Sequence, residues 1–421
     1  QHYDFTTGIT PNSWLHTADN AIYYQPTEEG NQLTITGTPN FISTKGAYHT
    51  LYGAYAKVKV KDQGAEANRN TVKLNGTAFA NADPKIAGAS ATSQDTNTTS
   101  KATFSKNEVR ISGGEFTGDT YIFGVLNNYP QLDATIQDNT VTITGAAGAA
   151  GGEGHDLSNA AFYGFGFDEE TPDNNDKFAN EIINGTEING EYISGDDFLA
   201  TLNITAANNN LEIDNWSGTI KSAKLFDNIN FVNTEWNPGG TVLTIADAAA
   251  KDLAKTKIDI VSFASGAQFT PGESMTFIKS TNNVDLGIAA KQDGATETAE
   301  YINAGVAQVV NGTTTITEDG TAFEFTVDSV GLAQQTYLVA ETRAASAAFV
   351  NQGTDLINDS LDVLGRDGTY GVKTFAAVQG NRSKYDVNSD IKINGWSTIV
   401  GVGNADKFSG GDEFAWGVFY E

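Results

Sequence analysis

N-E-V-R-I-S-G, residues Asn107 to Gly113, is the phrase whose reading decides the fold. The same frame, Asn-x-apolar-x-apolar-x-Gly, stands at Asn31 to Gly37 (NQLTITG), Asn70 to Gly76 (NTVKLNG) and Asn139 to Gly145 (NTVTITG). A fifth copy, Asn209 to Asn215 (NNLEIDN), ends in Asn. Val109 and Ile111 share one face and Glu108 and Arg110 the other, the period-2 pattern of a half-buried strand. The Asn and Gly ends read as turn residues that tolerate a left-handed backbone. The starts lie 39, 37, 32 and 70 residues apart. One strand phrase at wide, uneven spacing predicts repeats separated by loops of different length, the pattern of a β-helix or solenoid. The alternative is a β-sandwich with turn-rich strands.

Composition narrows the class. The chain has 421 residues with 44 Gly, 8 Pro and no Cys, so it is read as turn-rich and all-β, with no disulfide framework and no thiolate metal site. A net charge of −27 repels phosphate backbones and anionic lipid, which argues against a nucleic-acid partner. The start, Gln1-His2-Tyr3-Asp4, lacks the basic and apolar segments of a signal peptide, as a mature chain would.

Along the chain, residues 77–103 read as a polar, loop-like insertion between repeats, with disorder as the alternative, and 168–200 as an acidic loop. Phe123 and Phe165 align as aromatics able to stack in neighbouring repeats, as core or as a sugar-binding shelf. After Asn209 the strands become more regular: Leu225 to Val232, Thr241 to Ile245, Ile258 to Phe263, Met275 to Ile278 and Thr321 to Val327.

Chemistry-bearing motifs are sparse. Gly151 to Asp156 (GGEGHD) matches the first six places of the calcium nonapeptide, but Ser158 stands where a large apolar residue belongs. Asp156, with Asp168, Asp173 and Asp176 of the acidic loop, are the weak candidate metal ligands, for calcium if for any ion. A solvated acidic face is the simpler reading. The four histidines have no ligand spacing, and there is no G-x-S-x-G or P-loop. Asp196-Asp197 is an adjacent carboxylate pair of the kind glycoside chemistry uses, in a chain with 52 Asp and Glu. No catalytic residue is assigned.

Residues 342–365 carry helical periodicity through Phe349, Leu356, Ile357 and Leu361, and Gly365 to Gly368 stops it. Three long alternating segments follow, Tyr370 to Tyr385, Ile391 to Val402 and Glu413 to Glu421. Here the sequence resembles the autotransporter family, the type V secretion proteins of Gram-negative outer membranes. AAFVNQGTDLI (Ala347 to Ile357), VKTFAAVQGNRSKY (Val372 to Tyr385), KINGWSTIVGVG (Lys392 to Gly403) and WGVFYE (Trp416 to Glu421) are similar to its linker helix and first barrel strands. The repeats are similar to its β-helical passengers.

The resemblance implies a right-handed parallel β-helix passenger over 1–209 with long inserts and a compact stem over 210–341. A linker helix (342–365) and the first three strands of a truncated outer-membrane barrel (366–421) follow. It implies adhesion or structural display, including self-association, at the cell surface or outer membrane, or after secretion. Partners would be a ligand on a host or neighbouring cell, another copy through the C-terminal strands, and the outer membrane. A closed barrel needs more strands than these three, so transport is not carried over. The alternative function is a β-helical polysaccharide-degrading enzyme using the acidic inserts.

Overall fold

The computed structural model describes residues 2–5, 21–22, 30–36, 50–58, 65–79, 84–93, 101–116, 118–127, 133–145, 155–167, 172–334, 336, 342–343, 346–347, 350, 354–358, 370–386 and 390–420. The chain is mostly β, with parallel sheets. It divides into two compact units, Gln1–Gly305 with Val309–Gly331, and Val306–Gln308 with Leu332–Glu421.

In the first unit the repeated phrases pair side by side, parallel and in register. Leu33 faces Val72, Val72 faces Val109, Val109 faces Val141 and Val141 faces Leu211. The stack continues through Asn228–Val232 and Lys257–Ile260. Every inward residue named is fully buried, as are Ile111 and Ile143. A second parallel stack runs from Thr50–Tyr52 through Lys85–Ser93, Thr120–Asn127, His155–Gly166, Gly218–Lys224 and Thr241–Ile245 to Ser274–Ser280. A third joins Ala65–Glu66, Lys101–Ser105, Asp133–Gln137 and Ile204–Ala207. Beyond Ile204–Ala207 the repeat drops its third-stack strand, and Asn209 is followed by its counterpart Asp227 only 18 residues on. The parallel run of the second stack ends where Ser274–Ser280 pairs antiparallel with Ala322–Leu332.

The Asn that opens each phrase does not take the left-handed backbone expected of it. That conformation belongs to the residue before: Gly30 (φ 81°), Arg69 (60°), Lys106 (57°), Asp138 (58°) and Asn208 (56°). The Asn side chains turn inward and are buried. Asn107 Oδ1 accepts from Asn70 N at 3.0 Å and from Asn70 Nδ2 at 2.9 Å. Asn107 Nδ2 donates in turn to Asn139 Oδ1 and to the Ala67 carbonyl, both at 2.9 Å. Beside this column Gly88 lies so close to the next repeat that a Cβ there would stand 2.7 Å from the Gly124 carbonyl and 2.9 Å from Asn107 Cβ. Of the phrase ends, Gly76, Gly113 and Asn215 do have positive φ, as expected.

Three expectations are corrected. The described residues of 77–103 are not loop-like, because Thr71–Phe79, Lys85–Ser93 and Lys101–Ser105 are strands of the three stacks; residues 80–83 and 94–100 lie outside the described residues. The acidic stretch 168–200 is not a loop either. It holds helix α1 (Pro172–Asn184), a hairpin (Thr186–Ile188 with Glu191–Ile193) and helix α2 (Gly195–Thr201). Its residues 168–171 lie outside the described residues. Phe123 does not stack on Phe165: its register partner is Tyr163, ring to ring at 5.1 Å, while Phe165 pairs with Val125.

In the second unit every described position between 342 and 358 is helical. Gly371–Asp386, Asp390–Lys407 and Glu413–Tyr420 then form one antiparallel sheet. Among the described residues no helix is long and apolar enough to cross a membrane, which says nothing about strands.

The Asn column makes a specific demand on stability. Asn107→Ala strips partners from the Asn70 amides and from Asn139 Oδ1, and should cost on the order of 3 kcal/mol. Arg110→Ala, which breaks a half-exposed 3.5 Å ion pair to Asp214, should cost less than about 1 kcal/mol. Urea unfolding that ranks the two the other way would refute the column's role.

Candidate functional site

The outward face of the first stack is a regular polar ladder. Gln32, Thr71, Glu108, Thr140, Asn210, Asn228 and Lys257 succeed one another in register. Charges of both signs are interleaved: Arg110 lies 3.6 Å from Glu108 and 3.5 Å from Asp214. Glu212 is held above the usual carboxylate range, chiefly by burial and then by Asp214.

A second grouping arises where α1 lies beside the second stack. Ala179, Ile182 and Phe198 bury the apolar sides of α1 and α2 in a cluster with Phe165, Phe167 and Leu225. Asn175 Oδ1 accepts from Phe167 N at 2.8 Å, which ties α1 to the strand before it. At the next residue, Asp176 Oδ1 accepts from the Tyr163 hydroxyl at 2.7 Å and from Lys224 Nζ at 2.8 Å. Lys224 is almost fully buried, and its Nζ also lies 3.8 Å from Asp252 Oδ1. Asp252 Oδ2 accepts from Ala249 N at 2.7 Å. Burial pushes the Asp252 carboxyl up to about 6, against the downward pull of Lys224. Burial and the facing Asp176 raise the Tyr163 phenol far above its ordinary value. Chemically this is a tether: a cation shared between two carboxylates fixes α1 to the sheet, and only Asp176 reaches solvent substantially.

The candidate ligands of the sequence do not gather around it. Asp176 is taken up by Lys224 and Tyr163. Asp156 is exposed on the strand His155–Gly166, where hydrogen bonds from Ser158 lower its carboxyl. Asp173 lies in the first turn of α1, and Asp168 falls outside the described residues. Among the described residues no group of three or more His, Cys, Asp or Glu is placed to hold a metal ion. Asp196 and Asp197 diverge: Asp197 forms a reciprocal cap with Ser194, whose hydroxyl accepts from Asp197 N, and Asp196 pairs with Lys255 at 2.7 Å. Lys224, Tyr163 and Asp252 were not singled out from sequence, and their separations along the chain give no local signal.

No family model matches the sequence, and neither the curated proteins nor the solved structures offer a match.

The tether predicts a pH dependence. Asp252 binds its proton more tightly folded (about 6) than unfolded (3.8), so its contribution is fully present below pH 3.8 and is lost as pH rises through 6. About two pH units at 1.36 kcal/mol each give on the order of 3 kcal/mol. Thermal melts of the wild-type chain should show this decline between pH 4 and 6 relative to Asp252→Asn, and parallel curves for the two would refute the assignment.

Proposed function

We propose that the chain is an autotransporter-type surface protein whose first unit is a right-handed parallel β-helical passenger and whose second unit begins an outer-membrane barrel. Its role is adhesion or structural display, including self-association, on a Gram-negative cell surface or after release from it. No catalytic step is required of it.

The observation that carries this reading is the C-terminal sheet. Register places Val378, Ala376 and Thr374 opposite Thr398, Val400 and Val402, and Val400, Val402 and Asn404 opposite Tyr420, Val418 and Trp416. Paired residues share a face, so one side of the sheet gathers Val, Trp and Tyr, with Trp396 77% and Tyr420 80% exposed. The other side mixes the small residues Ser397, Gly401, Gly403 and Ala405 with Phe375, Ile399 and Phe419. An apolar outer face on long antiparallel strands fits lipid, and edge strands recruit further strands. The interleaved, ladder-like outer face of the first stack fits a display surface better than a catalytic groove.

The enzyme reading draws on the meeting of Asp176, Asp252, Lys224 and Tyr163. It is the weaker one, because Lys224 and Asp252 are buried where a polysaccharide cannot reach them.

Sedimentation of the full chain tests the display reading. Without detergent the apolar face should drive oligomers. A mild detergent, or Val400→Lys with Val418→Lys, should return monomers. A monodisperse wild-type monomer in plain buffer would overturn it.

A further inference from the structure

In the first unit, two successive connections between the first and second stacks differ in length. Residues 215–217 link Asn210–Asp214 to Gly218–Lys224 directly, while residues 233–240 make a longer excursion before Thr241–Ile245. Between them lies a cleft of about 320 Å³. That volume falls at the small end of the roughly 300–1,000 Å³ range of ligand pockets.

The lining combines two indoles with hydrogen-bonding groups. Trp216 is buried and Trp236 half-buried, its ring braced by Phe269 at 4.8 Å and Phe263 at 5.7 Å. Asn215, Asn237 and Glu235 stand exposed around them. Trp236 Nε1 points to Glu273 Oε2 at 3.4 Å, which fixes the indole. Thr234 stands in the same wall. It lines the cleft at 4% exposure, and its backbone N–H donates to Ser262, yet its hydroxyl has no protein partner. A buried hydroxyl left unpaired costs free energy, which a water or a ligand hydroxyl reaching it from the cleft would relieve.

We propose that this cleft binds a neutral saccharide of one or two rings. Indoles beside side-chain amides and a carboxylate suit a ligand with apolar ring faces and many hydroxyls. The carboxylates of Glu235 and Glu273, on a chain of net charge −27, exclude uronic and sialic acids by repulsion. The inference goes beyond the display reading and does not rest on the C-terminal sheet.

The test titrates the full chain with galactose, mannose and N-acetylglucosamine, and with glucuronate as the anionic comparator. Saturation-transfer NMR and tryptophan fluorescence report binding. At least one neutral sugar should bind in the millimolar range or tighter, with glucuronate about tenfold weaker or absent. Thr234→Val keeps the shape and removes only an unpartnered hydroxyl, and Asn237→Ala alters an exposed side chain. Each should melt no lower than the wild type and weaken binding about tenfold. The paired Val400→Lys and Val418→Lys substitutions should leave sugar binding intact, so failure of the display reading is read separately. No binding by any neutral sugar, equal binding of glucuronate, or affinity unchanged in both cleft variants would overturn the proposal.

Discussion

The amide column of Asn31, Asn70, Asn107, Asn139 and Asn209 is the constraint on which the first unit depends. Each acceptor oxygen described receives a side-chain proton of the preceding Asn, from Asn31 to Asn70 at one end and from Asn139 to Asn209 at the other. Asn107, Asn139 and Asn209 also donate to a carbonyl of the preceding repeat, at Ala67, Phe104 and Ile136. A primary amide alone among small side chains has an acceptor and two donors at this reach. Buried where water is absent, such groups must be fully satisfied, so each Asn fixes the height and rotation of its neighbour. The backbone follows the same track: Thr71, Glu108, Thr140 and Asn210 each donate to the Asn carbonyl one repeat earlier, at 2.8 Å.

That local fixing explains how loop length can vary without disturbing register. The column pins one corner of every repeat, and the left-handed residue before each Asn turns the chain into it. Arg69, Lys106 and Asp138 also anchor that turn to the third stack through their amides, to Ser105, Gln137 and Ala207. What happens between corners is free. The 70-residue interval between Asn139 and Asn209 holds a two-helix insert, yet Val141 still faces Leu211. Loop-closure cost grows only slowly with length, so such an insert is tolerated once its ends are held.

The first stack was legible because Val109, Ile111 and their equivalents alternate with polar residues, and period 2 is read directly from sequence. The strands at Asn228–Val232, Thr241–Ile245 and Ser274–Ser280 were legible for the same reason. Lys85–Ser93 was not. Its buried apolar residues are Ile86, Ala87, Ala89 and Ala91, mostly too small to mark a strand by propensity, and both faces are covered so alternation is lost. In α1 the spacing of Phe178, Ala179, Ile182 and Ile183 is helical, but the acidic residues around them give the stretch the composition of a loop. The left-handed column is not legible at Arg69 and Lys106, residue types uncommon there, where tertiary stacking imposes the conformation. The Tyr163–Asp176–Lys224–Asp252 cluster joins four separate segments, and the place of the Thr234 hydroxyl in the cleft wall is set by the fold. Neither property is written in local sequence.

The way the column ends completes the logic. Asn209 N donates to Asp227 Oδ2 at 2.7 Å, and Asp227 stands where the next amide would be. An ionised carboxyl accepts but does not donate, so it can receive the last amide and pass nothing on. The backbone ladder continues one step, Lys257 N to the Asp227 carbonyl, and from there packing changes character. Phe231 meets Phe277 at 5.0 Å, Phe263 meets Phe269 at 4.8 Å, and Phe269 meets Tyr301 at 4.8 Å. Edge-to-face rings hold these repeats by area and shape instead of by a directional polar chain. A parallel stack also leaves an open strand edge that would template further pairing. In the second stack Ala322–Leu332 occupies that edge antiparallel to Ser274–Ser280, with Phe325 packed against Phe277. The polar column therefore sets register where repeats must vary in length, and the aromatic cluster with its reversed strand closes the stack where repetition has to stop.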